Sequence, residues 1–85
     1  MSKESNYRCR EAGLDGFQID SIARMDAKIE LGYESVNVPP SLGAYGASDK
    51  TIISKFYKHA SGCGRCRDLY EDSLAIARAI QEAPD

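Results

Sequence analysis

Two apolar stripes of helical period meet at His59-Ala60-Ser61-Gly62-Cys63-Gly64-Arg65-Cys66, and this junction constrains the chain more than any other feature. Upstream, Ile52, Ile53, Phe56, Tyr57 and Ala60 recur at i, i+1, i+4, i+5 and i+8, one face of a helix. Ser48 is a suitable N-cap, Asp49 puts negative charge in the first turn, and Lys55, Lys58 and His59 fall near the C-terminal end, where the helix dipole favours cations. The spacing predicts a helix over 49–60. Downstream, Cys66, Leu69, Tyr70, Ser73, Leu74, Ala77 and Ile80 share a face, while Arg67, Asp68, Glu71, Asp72 and Arg78 mostly take the other. A helix over 64–83 follows, ending before Pro84. Gly62 is the break between the two, so the C-terminal half reads as a helical hairpin.

The N-terminal half is less regular. Tyr7-Arg8-Cys9-Arg10 is compatible with loop, strand or a first helical turn. From Leu14 onward, Phe17, Ile22, Met25 and Ile29 recur at near-helical steps, with Asp15 as N-cap and Gly32 past the C-terminal end, which predicts a helix over 16–31. A strand within Phe17–Ile22, where apolar and polar residues alternate, is the competing pattern. Residues 33–47 change character. Tyr33 to Val38 suits a short extended piece; Pro39-Pro40 then prevents regular structure, and Gly43 and Gly46 add bends. A connection this long in a small domain is a functional loop or an insertion, with Tyr33, Val36, Val38 and Tyr45 placed to pin it to the body.

Composition explains why such a chain would need a staple. Leu, Ile, Val and Phe make up only 16 of 85 residues, and there is no Trp. The net charge of −2 is too small for the composition of a disordered chain. A single domain over 1–85 with a thin core is expected, and a domain of this size buries roughly 60–65% of its unfolded surface. Small domains of this kind add disulfides, metals or partners. Three cysteines, an odd number, do not close a disulfide framework. No apolar run reaches the length of a membrane helix, and Met1 to Asn6 has no apolar signal segment, so a cytoplasmic protein with reduced thiols and no membrane partner is expected. The acidic pI of about 5.3 and mixed charges make no case for nucleic acid.

Those thiols and the only histidine fall into one pattern, His59-x3-Cys63-x2-Cys66. His59 ends one helix, Cys63 sits in the turn, and Cys66 lies in the first turn of the next, so three donors can face one centre. Gly62 and Gly64 leave space for the chain to wrap it. Thiolate and imidazole ligands suit tetrahedral Zn2+, and the helix N-terminus with Arg65 and Arg67 favours thiolates. Cys9 is the natural fourth ligand, giving a closed Cys3His site with one Zn2+ per chain and no open position for catalysis. The competing readings are small buried cysteines with His59 as a helix C-cap, or a redox C-x2-C pair, although the latter ordinarily follows a strand.

This helix–His-x3-Cys-x2-Cys–helix arrangement, spanning Ile52 to Ile80, resembles the zinc-binding anti-sigma factor (putative zinc-finger) domain family. The resemblance implies a mainly α, three-helix domain with a zinc-stapled hairpin, ligated by His59, Cys63, Cys66 and, in the upstream position, Cys9. The Pro39-Pro40 loop then reads as an insertion between Cys9 and His59. It further implies a protein partner, a sigma factor or RNA polymerase, restrained by direct binding. Alternatives are a phage or mobile-element inhibitor of another host protein, such as an anti-CRISPR protein, and a thiol/zinc redox switch. A homodimer is compatible with each. No Ser/His/Asp set, phosphate-binding glycine loop or perturbed carboxylate pair supports an enzyme. The binding surface is either the outer side of the last helix (Asp68, Glu71, Asp72, Arg78) or the loop around Val36, Val38, Leu42 and Tyr45.

Overall fold

The described residues open with a small hairpin, because Gly13, at φ +71°, allows a four-residue turn to close between Cys9 and Leu14. In a computed structural model, which describes residues 7–33 and 36–82, β1 (Arg8–Cys9) pairs antiparallel with β2 (Leu14–Asp15), Cys9 opposite Leu14. The stretch around Cys9, open between three conformations in the sequence, is therefore a strand. Three helices follow: α1 (Gly16–Glu30), α2 (Asp49–Ala60) and α3 (Gly64–Glu82). The fold is mainly helical. No helix among the described residues is long and apolar enough to cross a membrane.

Helix α1 starts where its caps dictate. The Asp15 carboxylate accepts from the Gln18 N–H at 2.9 Å, and the Asp15 N–H donates to Gln18 Oε1 at 2.8 Å, a reciprocal capping box that satisfies two otherwise orphaned donors. At the other end Gly32, at φ +103°, takes the left-handed turn that side chains resist. The buried stripe is Ile19, Ile22, Ala23, Met25, Asp26 and Ala27. Phe17 does not belong to it and is 63% exposed. At about 100° per residue, Phe17 lies roughly 200° round the axis from Ile19, on the solvent side.

Helices α2 and α3 form the expected hairpin, and α1 packs mainly against α3. Asp26 meets Tyr70, and Glu30 meets Arg78, so α1 and α3 run in the same sense. Phe56 fills the centre, fully buried, with its ring 4.8 Å from that of Tyr70. The Asp26 carboxylate is buried yet satisfied: both Tyr57 and Tyr70 donate to its Oδ2 at 2.5 Å. Burial pushes both phenols up, and the adjacent carboxylate adds to it, so both stay protonated donors. Tyr57, expected on the apolar stripe, is half exposed and serves through its hydroxyl. Ile80, expected on the α3 core face, is 64% exposed, because α1 ends at Glu30, opposite Arg78, and stops short of it. The expected end of α3 at residue 83 lies outside the described residues.

The long loop turns inward. Leu42 is fully buried, and Val36, Val38 and Tyr45 pack against the core, so this segment does not offer the apolar binding surface its sequence suggested. Tyr33 does not pin it; its ring is half exposed. Pro40 also does more than interrupt: Pro40–Leu42 forms a 3₁₀ turn, where a proline at the first position is pre-set and loses no needed N–H. The loop is tied down at three places. Gln18 Nε2 donates to the Ser41 carbonyl at 2.8 Å, the Val36 N–H donates to the buried Asp49 carboxylate at 3.0 Å, and Lys55 donates to the Tyr45 carbonyl while lying 4.3 Å over its ring. Glu34 and Ser35 of the expected extended piece lie outside the described residues, and Val36 to Val38 form no strand.

Candidate metal centre

β1, α2, the turn after it and α3 each deliver one donor, and the four converge. Ser48 caps α2 by accepting from the Thr51 N–H, and this fixes the register that puts His59 in the last turn. The Ser61-Gly62-Cys63 turn closes through the Gly62 N–H to the His59 carbonyl at 3.0 Å and the Cys63 N–H to the Ala60 carbonyl at 3.1 Å. Cys66 then falls in the first turn of α3. A Cβ at Gly62 would meet only the His59 carbonyl, at 3.8 Å, and one at Gly64 would meet nothing, so neither glycine is needed for room. Compact hydrogen-bonded turns, rather than missing side chains, wrap the chain here.

Cys9 arrives from β1. The Cys9 carbonyl accepts from the Gly13 N–H at 2.9 Å, closing the hairpin turn, and the sulfur comes to 3.4 Å from His59 Nε2. The donor atoms of Cys9, His59, Cys63 and Cys66 all lie within 4.8 Å of one another. In a tetrahedral zinc site the ligand–ligand edges are about 3.6–3.8 Å, given Zn–S near 2.3 Å and Zn–N near 2.0–2.1 Å. The cluster thus needs to contract by about an ångström or less to close on one ion. The three thiols are free rather than bridged, and the set fits a metal of zinc's chemistry: soft sulfur, one imidazole, four donors. All four residues singled out in the sequence meet here.

The thiols are not equivalent. Cys66 is fully buried, and burial pushes its thiol up to about 12. Cys63 is partly exposed, and the Cys66 backbone amide turned toward its sulfur lowers its pKa. Cys9 is buried. A metal arriving here meets the more acidic Cys63 thiol at the partly exposed edge and has to displace the proton that burial holds on Cys66.

Tyr7 completes the surroundings and was not among the residues the sequence singled out. Its hydroxyl lies 3.0 Å from Cys66 Sγ, and burial together with this contact raises its pKa. Tyr45 from the long loop also faces the cysteines; burial and the nearby Cys66 and Cys9 raise its phenol. The available signal was the Tyr7-x-Cys9 spacing: in a strand, residues two apart point to the same face. A second feature, an open groove of about 640 Å³ lined by Tyr57, Arg67, Tyr70, Glu71, Leu74 and Arg78, lies on the α2–α3 side and contains none of the four donors.

Comparison with protein-family models, with characterised proteins and with solved structures returns no match.

Proposed function

We propose that this chain is a small zinc-stapled binding protein that acts by direct, non-catalytic contact with a protein partner, in the manner of an anti-sigma factor restraining a sigma factor or RNA polymerase. The observation that carries the reading is the convergence of Cys9, His59, Cys63 and Cys66 donors within 4.8 Å. A Cys3His set saturates tetrahedral zinc, so the metal's role is to hold structure, not to activate water or substrate. The binding surface belongs on α3. Asp68, Glu71 and Asp72 are exposed along it, followed by exposed Ile76 and Ile80. These three carboxylates, with Glu71 3.9 Å from Arg67, lead into an apolar pair, and that side of α3 complements a basic, partly apolar surface such as a protein uses to hold nucleic acid.

The test has two arms. Purified chain should bind one zinc, and the zinc form should bind a purified sigma factor or polymerase core with an affinity that charge reversal at Asp68, Glu71 and Asp72 reduces at least tenfold. Zinc binding without binding to either partner would retain the staple and reject the transcription role.

A thiol/zinc redox switch is the second reading, and the accessibility of Cys63 beside Cys66 favours it. Oxidation of the two thiolates by peroxide would form a Cys63–Cys66 disulfide, reduce peroxide to water and release the metal. Stoichiometric zinc release by peroxide supports it, and retention of zinc under peroxide rejects it.

A further inference from the structure

We propose that Tyr7 is a positioning residue of the metal centre: its hydroxyl donates to Cys66 Sγ, holds that sulfur on the metal and slows metal loss. The inference rests on the zinc reading above and goes beyond it, because Tyr7 is not a ligand. Three observations carry it.

First, the contact is short and its direction is fixed by metal binding. The hydroxyl oxygen and the sulfur are 3.0 Å apart. In the thiol state either atom can donate. Once Cys66 is a metal-bound thiolate it has no proton to give, and only the tyrosine can be the donor.

Second, Tyr7 is held in place independently of the metal. Its carbonyl accepts from the Gly16 N–H at 3.0 Å, just before the ladder that pairs Arg8 with Asp15 and Cys9 with Leu14. The Tyr7 hydroxyl and the Cys9 sulfur, two residues apart in the chain, both reach the Cys66 sulfur, so the segment that delivers a ligand to the centre also delivers a hydrogen bond to the ligand across from it.

Third, Cys66 is shut off from water, and its other close polar neighbours are the sulfurs of Cys63 and Cys9, which are themselves ligands. Three thiolates and a neutral imidazole on Zn2+ leave a net charge of −1. Cys63 is partly exposed to water and has the Cys66 amide beside it. Cys66 has no exposure at all, so a donor from the protein must stand in for solvent. Tyr7 is the side-chain hydroxyl that reaches it among the described residues.

Hydrogen-bond partners of metal ligands typically contribute 10–100-fold to metal affinity. The experiment compares the full chain with Tyr7→Phe, loading each with Co2+ and Zn2+ in competition with a chromophoric chelator. Tyr7→Phe should bind one metal per chain, 10–100-fold more weakly, and its cobalt–thiolate charge-transfer band should shift, which mere loosening of the fold would not produce. A fluorinated tyrosine at position 7 keeps the ring and strengthens the donor, and should move the band in the opposite direction even if Tyr7→Phe fails to fold. Wild-type binding of one metal, with affinity and band unchanged in both variants, overturns the role of Tyr7 and leaves the metal centre standing. A wild-type chain that binds no metal overturns both.

Discussion

At residue scale, the buried polar groups among the described residues divide into those with partners and one without. Asp26 takes two phenolic donors, and Asp49 accepts from Val36 and Lys50. Ser73, nearly fully buried on α3, has no hydrogen-bond partner for its hydroxyl among the described residues. A buried hydroxyl without a partner loses its water and gains nothing in return. Ser73→Ala should therefore stabilise the protein by about 1 kcal/mol, read as a higher denaturant midpoint at unchanged slope. Cys66 supplies the pH dependence. Its thiol, ordinarily near 9, sits at about 12 in the metal-free fold. With the folded pKa raised above the unfolded value, the metal-free fold has its full stability below pH 9 and loses it as pH rises toward 12. Metal binding runs the other way, because each bound ion must displace the Cys66 proton. Competition titrations between pH 6 and 8 should show affinity falling as the solution becomes more acid, about tenfold per pH unit for each proton displaced.

At element scale, the helices were the legible part of the sequence and the faces of their ends were not. Periodicity and caps placed α1, α2 and α3, since Asp15 and Ser48 cap as their chemistry demands. Phe17 and Ile80 were assigned to the core because period alone does not say where a neighbouring helix stops. All four candidate ligands were readable from residue type and spacing, whereas Tyr7 depended on the strand around Cys9, which the sequence left open. Which way the loop faces was not legible, because apolar residues outside regular structure carry no period; Val36, Val38 and Tyr45 pin it to the core as expected, and the burial of Leu42 shows its inward turn. The close approach at Gly46 locks that loop to α2: a Cβ there would lie 2.7 Å from Ile52 Cγ1, in the fully buried part of the core. Gly46→Ala should cost about 1–3 kcal/mol in equilibrium unfolding, as overpacking does.

At the scale of the whole molecule, a thin core is joined to a four-residue staple. The centre draws on β1, α2, the turn and α3, whose members are as far apart as Cys9 and Cys66 in the chain, so an ion held by all four donors favours the fold over the unfolded chain, which offers only the local His59, Cys63 and Cys66. Free zinc at 100 times its Kd should add about 2.7 kcal/mol, a rise of roughly 10–20 °C in the thermal midpoint for a domain this small. Chelation should reverse the rise and reduce helicity on heating.

The most direct test of the central claim is zinc stoichiometry by native mass spectrometry, on the intact chain and on Cys9→Ser and Cys63→Ser. One zinc per wild-type chain is expected, lost or markedly weakened in both variants, because β1 and the turn each supply a ligand. A chain that holds no zinc, or one whose zinc is equally well held without the Cys9 and Cys63 sulfurs, would contradict it.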